Sequence, residues 1–264
     1  MNRLATASIY GLVLLMGAAA LLAPFLLPQA TTQENLAPLL TVLLLVISLT
    51  ALLVEVQGQV VSAKIVAALG ILVAITSVLR FIEVAIPGPG GFSPIFAPII
   101  LAGYVFGARF GFLLGAMAML VSALITGGVG PWLPYQMFAA GWAGMTSGWL
   151  PHPRQPRWEI ALLLGWGFGW GLLYGLLLNL YTWPWLLGTA ATSWQPGLSL
   201  GETAARYGAY YAATSLWWDF GRALGNGLLL LVLGQPAIRA LSRFHRRFHY
   251  RVQISPLSET EQLT

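Results

Sequence analysis

The chain has 264 residues, of which 58% are hydrophobic and only 8% charged. A water-solvated domain carries about a quarter charged residues, so this composition excludes an ordinary soluble fold and points to lipid. There is no cysteine, which removes disulfides, thiol nucleophiles and thiolate metal sites. Most of the net charge of +5 lies in the segment 239–251, which contains Arg243, Arg246 and Arg247. A basic cluster directly after a hydrophobic helix suits anionic lipid better than nucleic acid, because no aromatic stacking platform accompanies it.

Taken in chain order, the apolar runs at 6–27 and 36–56 each approach the roughly 20 residues that a spanning helix needs. The first lies behind Arg3 as a secretory signal would. Its length and the poor cleavage site at Pro28-Gln29-Ala30 favour a retained helix. A third span is expected at 62–85, then two shorter helices at 94–106 and 110–126, and three more at 134–150, 158–181 and 207–233. With the N-terminus inside, the inner segments carry Arg3, Lys64, Arg109, Arg154, Arg157 and the 239–251 cluster. The outer connections 28–35, 86–93, 127–133 and 182–206 carry no lysine or arginine except Arg206 at a helix mouth. The positive-inside rule therefore predicts cytoplasmic N- and C-termini.

That orientation places Gly127-Gly128-Val129-Gly130-Pro131-Trp132 outside, together with Pro87-Gly88-Pro89-Gly90-Gly91-Phe92 and the long connection 182–206. Such backbone cannot face hydrocarbon and must lie in water, in protein or along a cavity. Elaborate outer loops over short basic inner ones suggest capture of something from outside.

Glycines recur every four residues at 103, 107, 111 and 115, at 144 and 148, at 167, 171 and 175, and at 221 and 225. This spacing lets neighbouring helix backbones approach closely, so these ladders are expected to pack within the chain. Ala63, Ala67, Gly70 and Ala74 form a smooth stripe on the third helix that suits either internal packing or docking of another membrane subunit.

Four charges stand out inside the predicted spans. Arg80 and Glu83 lie three residues apart, as do Asp219 and Arg222, and Asn226 extends the second pair inward on one face. Each pair is placed to neutralise itself or to line a polar cavity. Trp132, Tyr135, Trp142, Tyr207, Tyr210, Tyr211, Trp217 and Trp218 cluster nearby as an interfacial belt, with Trp217 and Trp218 placed to stack on a planar ligand. His152, His245 and His249 sit beside basic residues and are expected on solvated surface, with no metal site. No serine–histidine pairing, carboxylate cluster or phosphate loop points to catalysis.

Phe92-Ser93-Pro94, Gly103-Tyr104-Val105-Phe106-Gly107, Gly111-Phe112 and Gly115 begin a longer pattern. It continues through Thr126 to Trp132, Pro134-Tyr135-Gln136-Met137-Phe138, Gly141, Gly144 and Gly148, and closes with Asp219 and Arg222-Ala223-Leu224-Gly225-Asn226. This resembles the substrate-binding S component of energy-coupling factor (ECF) transporters, the vitamin-uptake branch of the ABC systems, over roughly residues 63–247. The resemblance implies an all-α integral membrane protein with a six-helix substrate-binding core at 59–238. Two additional transmembrane helices within 1–58 would precede it and a basic cytoplasmic tail, 239–264, would follow. It implies a plasma-membrane subunit without enzymatic activity or cofactor. The partners would be a transmembrane coupling subunit, which docks on Ala63, Ala67, Gly70 and Ala74, and two ATPases.

The substrate pocket would lie beneath loops 86–93, 127–133 and 182–206. Phe92, Trp132, Gln136, Trp217, Asp219, Arg222 and Asn226 would line it, with Arg80 and Glu83 beside them. Gly130-Pro131-Trp132 with Gln136-Met137 most resembles variants linked to cobalamin-like substrates, and thiamine- or flavin-like vitamins remain open. An intramembrane enzyme acting on lipid through Asp219 and Arg222, or a membrane assembly protein, are the rival readings.

Overall fold

The computed structural model describes residues 63–248 except 87, 186 and 187, together with Gly11, Leu14, Leu15, Gly17, Ala18, Ala19, Leu21, Leu22, Phe25 and Val46. Most of the predicted spans 6–27 and 36–56 therefore lie outside the described residues. From Ala63 on, the described residues form seven α-helices: α1 (Ala63–Ala85), α2 (Phe96–Phe106), α3 (Ala108–Thr126), α4 (Leu133–Ser147), α5 (Pro156–Thr182), α6 (Leu200–Thr214) and α7 (Leu216–Phe248). Short 3-10 turns at Pro89–Gly91 and Trp183–Trp185 follow α1 and α5. The segments Lys64–Ala85, Ala108–Thr126, Pro156–Thr182 and Leu216–Arg246 are each long and apolar enough to cross a membrane.

The helix boundaries have local causes. Gly107 turns to φ 96°, a region closed to most side chains, and separates α2 from α3. Gly127, at φ 66°, caps the end of α3. The single helix expected at 207–233 is instead two. A capping box, in which Ser199 and Glu202 bond each other's backbone N–H, starts α6 earlier than apolarity suggests. Ser215, at φ −128°, then breaks the chain before α7. The Glu202 carboxylate accepts from Ser199 and is held below its ordinary value of 4.5. This cap is thus complete above that value and lost as pH falls through the lowered one. At its other end α7 runs past 233 and through Pro236, so residues 239–248 of the expected tail are helical.

Helix packing follows the glycines. A methyl group at Gly111 would strike the Gly144 carbonyl, one at Gly144 would strike the Gly111 carbonyl, and one at Gly115 would strike the Ala140 carbonyl. Helices α3 and α4 therefore touch backbone to backbone, with α2 lying against them through Gly103. Gly167, Gly171 and Gly175 likewise form a groove on α5 that receives Leu230, Ala223 and Asp219 of α7. The fully buried Ile99, Ile100, Leu114, Met137 and Leu163 lie in the apolar core.

The described residues between Gly11 and Phe25 are helical and belong to the same body. Leu21 is buried in the core, and Gly17 lies against the rings of Trp142 and Phe138 on α4. Gly17→Leu is expected to force this contact apart and lower stability by about 1–3 kcal/mol, the usual effect of overpacking. A thermal melt of the purified variant checks this, and an unchanged midpoint would contradict the packing.

Candidate functional site

At the end of the bundle opposite Arg109, Arg154 and Arg157, helices α1, α5 and α7 gather the four predicted charges. On α7, the Arg222 guanidinium donates to the Asp219 carboxylate, which is only 2% exposed. Arg222 also reaches the Gly171 carbonyl at 3.5 Å, and its guanidinium lies 5.3 Å from the centre of the Tyr174 ring. On α1, Arg80 and Glu83 approach to 4.0 Å, and the Ser93 hydroxyl donates to Glu83 at 2.8 Å. Arg222 also acts electrostatically on Glu83, so the two pairs form one group. Tyr174 interacts with all four charges, and its ring meets Phe96 edge-on at 4.7 Å. Two guanidiniums and two carboxylates sum to zero, which makes their burial tolerable.

The α5 glycine groove decides where these groups sit. Gly175 lies directly against the Asp219 carboxylate, so any side chain there would displace it. One turn below, Gly171 admits the backbone of Ala223. Beyond it, Asn226 is 0% exposed, and neither amide atom has a hydrogen-bond partner among the described residues. The Tyr174 hydroxyl and Asp219 Oδ2 are likewise buried without a hydrogen-bond partner there. A buried polar atom left unpaired costs about 1–3 kcal/mol, so a group of such atoms where α5 meets α7 requires an explanation.

A second face of α7 carries the loop that follows α1. Gly90 and Gly91, at φ 62° and 76°, bring the backbone onto Gly221 and Trp218, and the Phe92 ring rests on Gly225. The loop is thereby clamped beside the charge group, with Ser93 joining it to Glu83.

The structure therefore brings together Phe92, Arg80, Glu83, Asp219, Arg222 and Asn226, but not the remaining predicted site residues. Trp217 is 75% and Trp218 58% exposed, so neither ring is enclosed beside the polar stripe and the expected stacking on a planar ligand finds no support there. Trp132 folds back on its own loop, covering Gly130 and donating from Nε1 to the Gly128 carbonyl at 3.0 Å. Gln136 stands in the first turn of α4, and no described contact links it to the four charges. Tyr174 and Ser93 were not among the expected site residues. The outer aromatic cluster is instead built on Trp183, 1% exposed, whose Nε1 donates to the Thr192 carbonyl at 2.7 Å. Tyr207 and Phe25 pack against it at 5.1 and 5.9 Å between ring centres.

On α1, Ala67, Gly70 and Ala74 face outward, and Gly70 has open space where a side chain would stand. Gly70 and Ala74, with Val66, Leu69, Val73, Leu113, Met117 and Val121, line an apolar groove of about 430 Å³. Among the described residues no three His, Cys, Asp or Glu side chains converge as a metal site would require.

A family model described as ECF transporter, substrate-specific component, matches residues 64–234. No curated protein and no solved structure matches the chain.

Proposed function

The chain belongs to the family of substrate-specific components of ECF transporters, and from that premise we propose that it captures a vitamin at the charge group of α1, α5 and α7 and delivers it to an ATP-driven coupling module. As a member of that family it is a multi-pass membrane protein and a transporter subunit. The single observation that carries the capture site is the buried Asn226, its amide unpaired and on the same face as Asp219 and Arg222. A buried amide that has no hydrogen-bond partner among the described residues, beside a buried ion pair, is suited to a polar ligand. Entry would be from outside: the clamp of Gly90, Gly91 and Phe92 on α7 must lift, and the side-chain tie beside it is the hydrogen bond from the Ser93 hydroxyl to Glu83.

A cobalamin-like substrate is the first candidate because of the Gly130-Pro131-Trp132 and Gln136-Met137 resemblance, with thiamine- and flavin-like vitamins next. The test is a thermal-shift screen of the purified full chain against corrinoids, thiamine, riboflavin and other vitamins. A ligand at a hundred times its Kd is expected to stabilise the protein by about 2.7 kcal/mol. If no vitamin or precursor raises the midpoint, the capture reading fails.

The α1 stripe is the proposed docking face for the transmembrane coupling subunit, together with its two ATPases. Ala63 begins the helix, and Ala67, Gly70 and Ala74 present the smooth surface that close helix approach needs. Gly70→Leu is expected to leave the isolated chain within about 0.5 kcal/mol of its normal stability, since the site is open. The same variant should no longer co-purify with the coupling subunit. Retained co-purification would move the docking face elsewhere. Cytoplasmic termini, inner basic loops and the division into 1–58, 59–238 and 239–264 complete this reading.

A further inference from the structure

The opposite, basic end of the bundle holds a second polar site. Because α7 continues through Pro236, it brings Ser242, His245 and Arg246 against the end of α2, the turn before α5 and the first turn of α5. Between them lies a crevice of about 360 Å³, lined also by Tyr104, His152 and Glu159. Of the histidines expected on solvated surface, His152 is exposed and His245 half-buried, and both line this crevice, while His249 lies outside the described residues. His152 stacks on Tyr104 at 4.2 Å with Nε2 at 3.2 Å from the Tyr104 carbonyl, and His245 Nδ1 lies 2.8 Å from the Val105 carbonyl.

We propose that this crevice binds the head group of a zwitterionic glycerophospholipid bearing a primary ammonium, with the phosphodiester toward Arg246 and Ser242 and the ammonium toward Glu159. Three features argue for this chemistry. First, the crevice carries both signs of charge without joining them, since Arg246 and Ser242 have no hydrogen bond or ion pair among the described residues. Second, Glu159 is held in place by the Tyr104 hydroxyl and by Gln235 Nε2, each at 3.0 Å. A carboxylate has about four acceptor positions, so lone pairs remain for an ammonium. Third, the apolar part of α7 gives way to the basic residues Arg239, Arg243 and Arg246 around the crevice, which suits head-group depth, with Ile238 on its apolar side. Basic pockets between transmembrane helices at this level suit lipid phosphates, and the carboxylate disfavours a purely anionic head group. A choline head group lacks the N–H donors that Glu159 would accept.

The test is native mass spectrometry of the full chain after exchange into micelles containing phosphatidylethanolamine, phosphatidylcholine or phosphatidylglycerol with identical acyl chains. Wild-type protein is expected to retain phosphatidylethanolamine about tenfold over phosphatidylcholine, the worth of one charge-assisted hydrogen bond. Glu159→Gln should cut the preference for phosphatidylethanolamine over phosphatidylglycerol about tenfold, whereas Arg246→Gln should weaken both alike. A merely structural role would not change head-group preference. Equal retention of the three lipids, or a preference indifferent to Glu159→Gln, overturns the proposal. If Glu159→Gln does not fold, undiminished retention by Arg246→Gln overturns it instead. Soluble phosphoethanolamine is the remaining source of the same chemistry: if it stabilises the protein where the lipid does not, the lipid assignment is wrong.

Discussion

Asp219→Ala is expected to lower the stability of the chain by about 3 kcal/mol, the lower part of the range for breaking a buried ion pair. The loss comes from Arg222, whose side chain is 19% exposed and would remain in the bundle without its partner. Glu83 offers partial compensation, because Arg222 already acts on it. Replacing both Asp219 and Arg222 with apolar residues of similar size is expected to recover much of the stability, since two charges then no longer need burial. The measurement is a thermal melt of wild type, single and double variants in one detergent. A single variant as stable as wild type would mean that the pair is not closed in solution as it is in the structure.

Gly144→Leu is expected to be at least as damaging, at about 3 kcal/mol or more. Overpacking usually costs about 1–3 kcal/mol, but here the obstacle is the Gly111 main chain, which cannot turn aside as a side chain can. At about 2–4 °C per kcal/mol for a chain of this size, the melting midpoint should fall by roughly 6–12 °C. Size-exclusion chromatography should show loss of the monodisperse species. Gly165→Leu on α5, where a side chain meets open space, is the matched control and should be nearly neutral. Equal effects at Gly144 and Gly165 would contradict backbone contact between α3 and α4.

The parts legible in the sequence were those governed by period and spacing. Glycines four residues apart predicted the α3–α4 contact, and charges three apart predicted the Arg80–Glu83 and Asp219–Arg222 pairs. The convergence of the two pairs was not legible, because it depends on where the fold sets the end of α1 relative to α7 and Tyr174. Tyr174 was missed for the same reason: alone on α5 it reads as one more aromatic, and only the fold surrounds it with charges.

Trp217 stands apart from the charge group for a reason the helix period already contains. Neighbouring residues on a helix do not share a face, and Trp217 lies about 200° around the axis from Asp219 at about 100° per residue. The same arithmetic sets Gly221 and Gly225 on the face that carries Gly90 and Phe92. The start of α6 is carried by the Ser199–Glu202 capping box, a signal present in the sequence but lying ahead of the apolar run.

The most direct test of the capture site uses Asn226→Leu. Removing an unpaired buried amide and filling its place with apolar atoms is expected to leave stability unchanged or slightly raised, because no protein hydrogen bond is lost among the described residues. Equilibrium binding of the vitamin that stabilises the wild-type chain should then be measured on both proteins. The account predicts about tenfold or greater weakening in the variant, the loss of at least one buried hydrogen bond to the ligand. A variant that folds normally and binds the vitamin as tightly as wild type would place the capture site away from the Asp219–Arg222–Asn226 face.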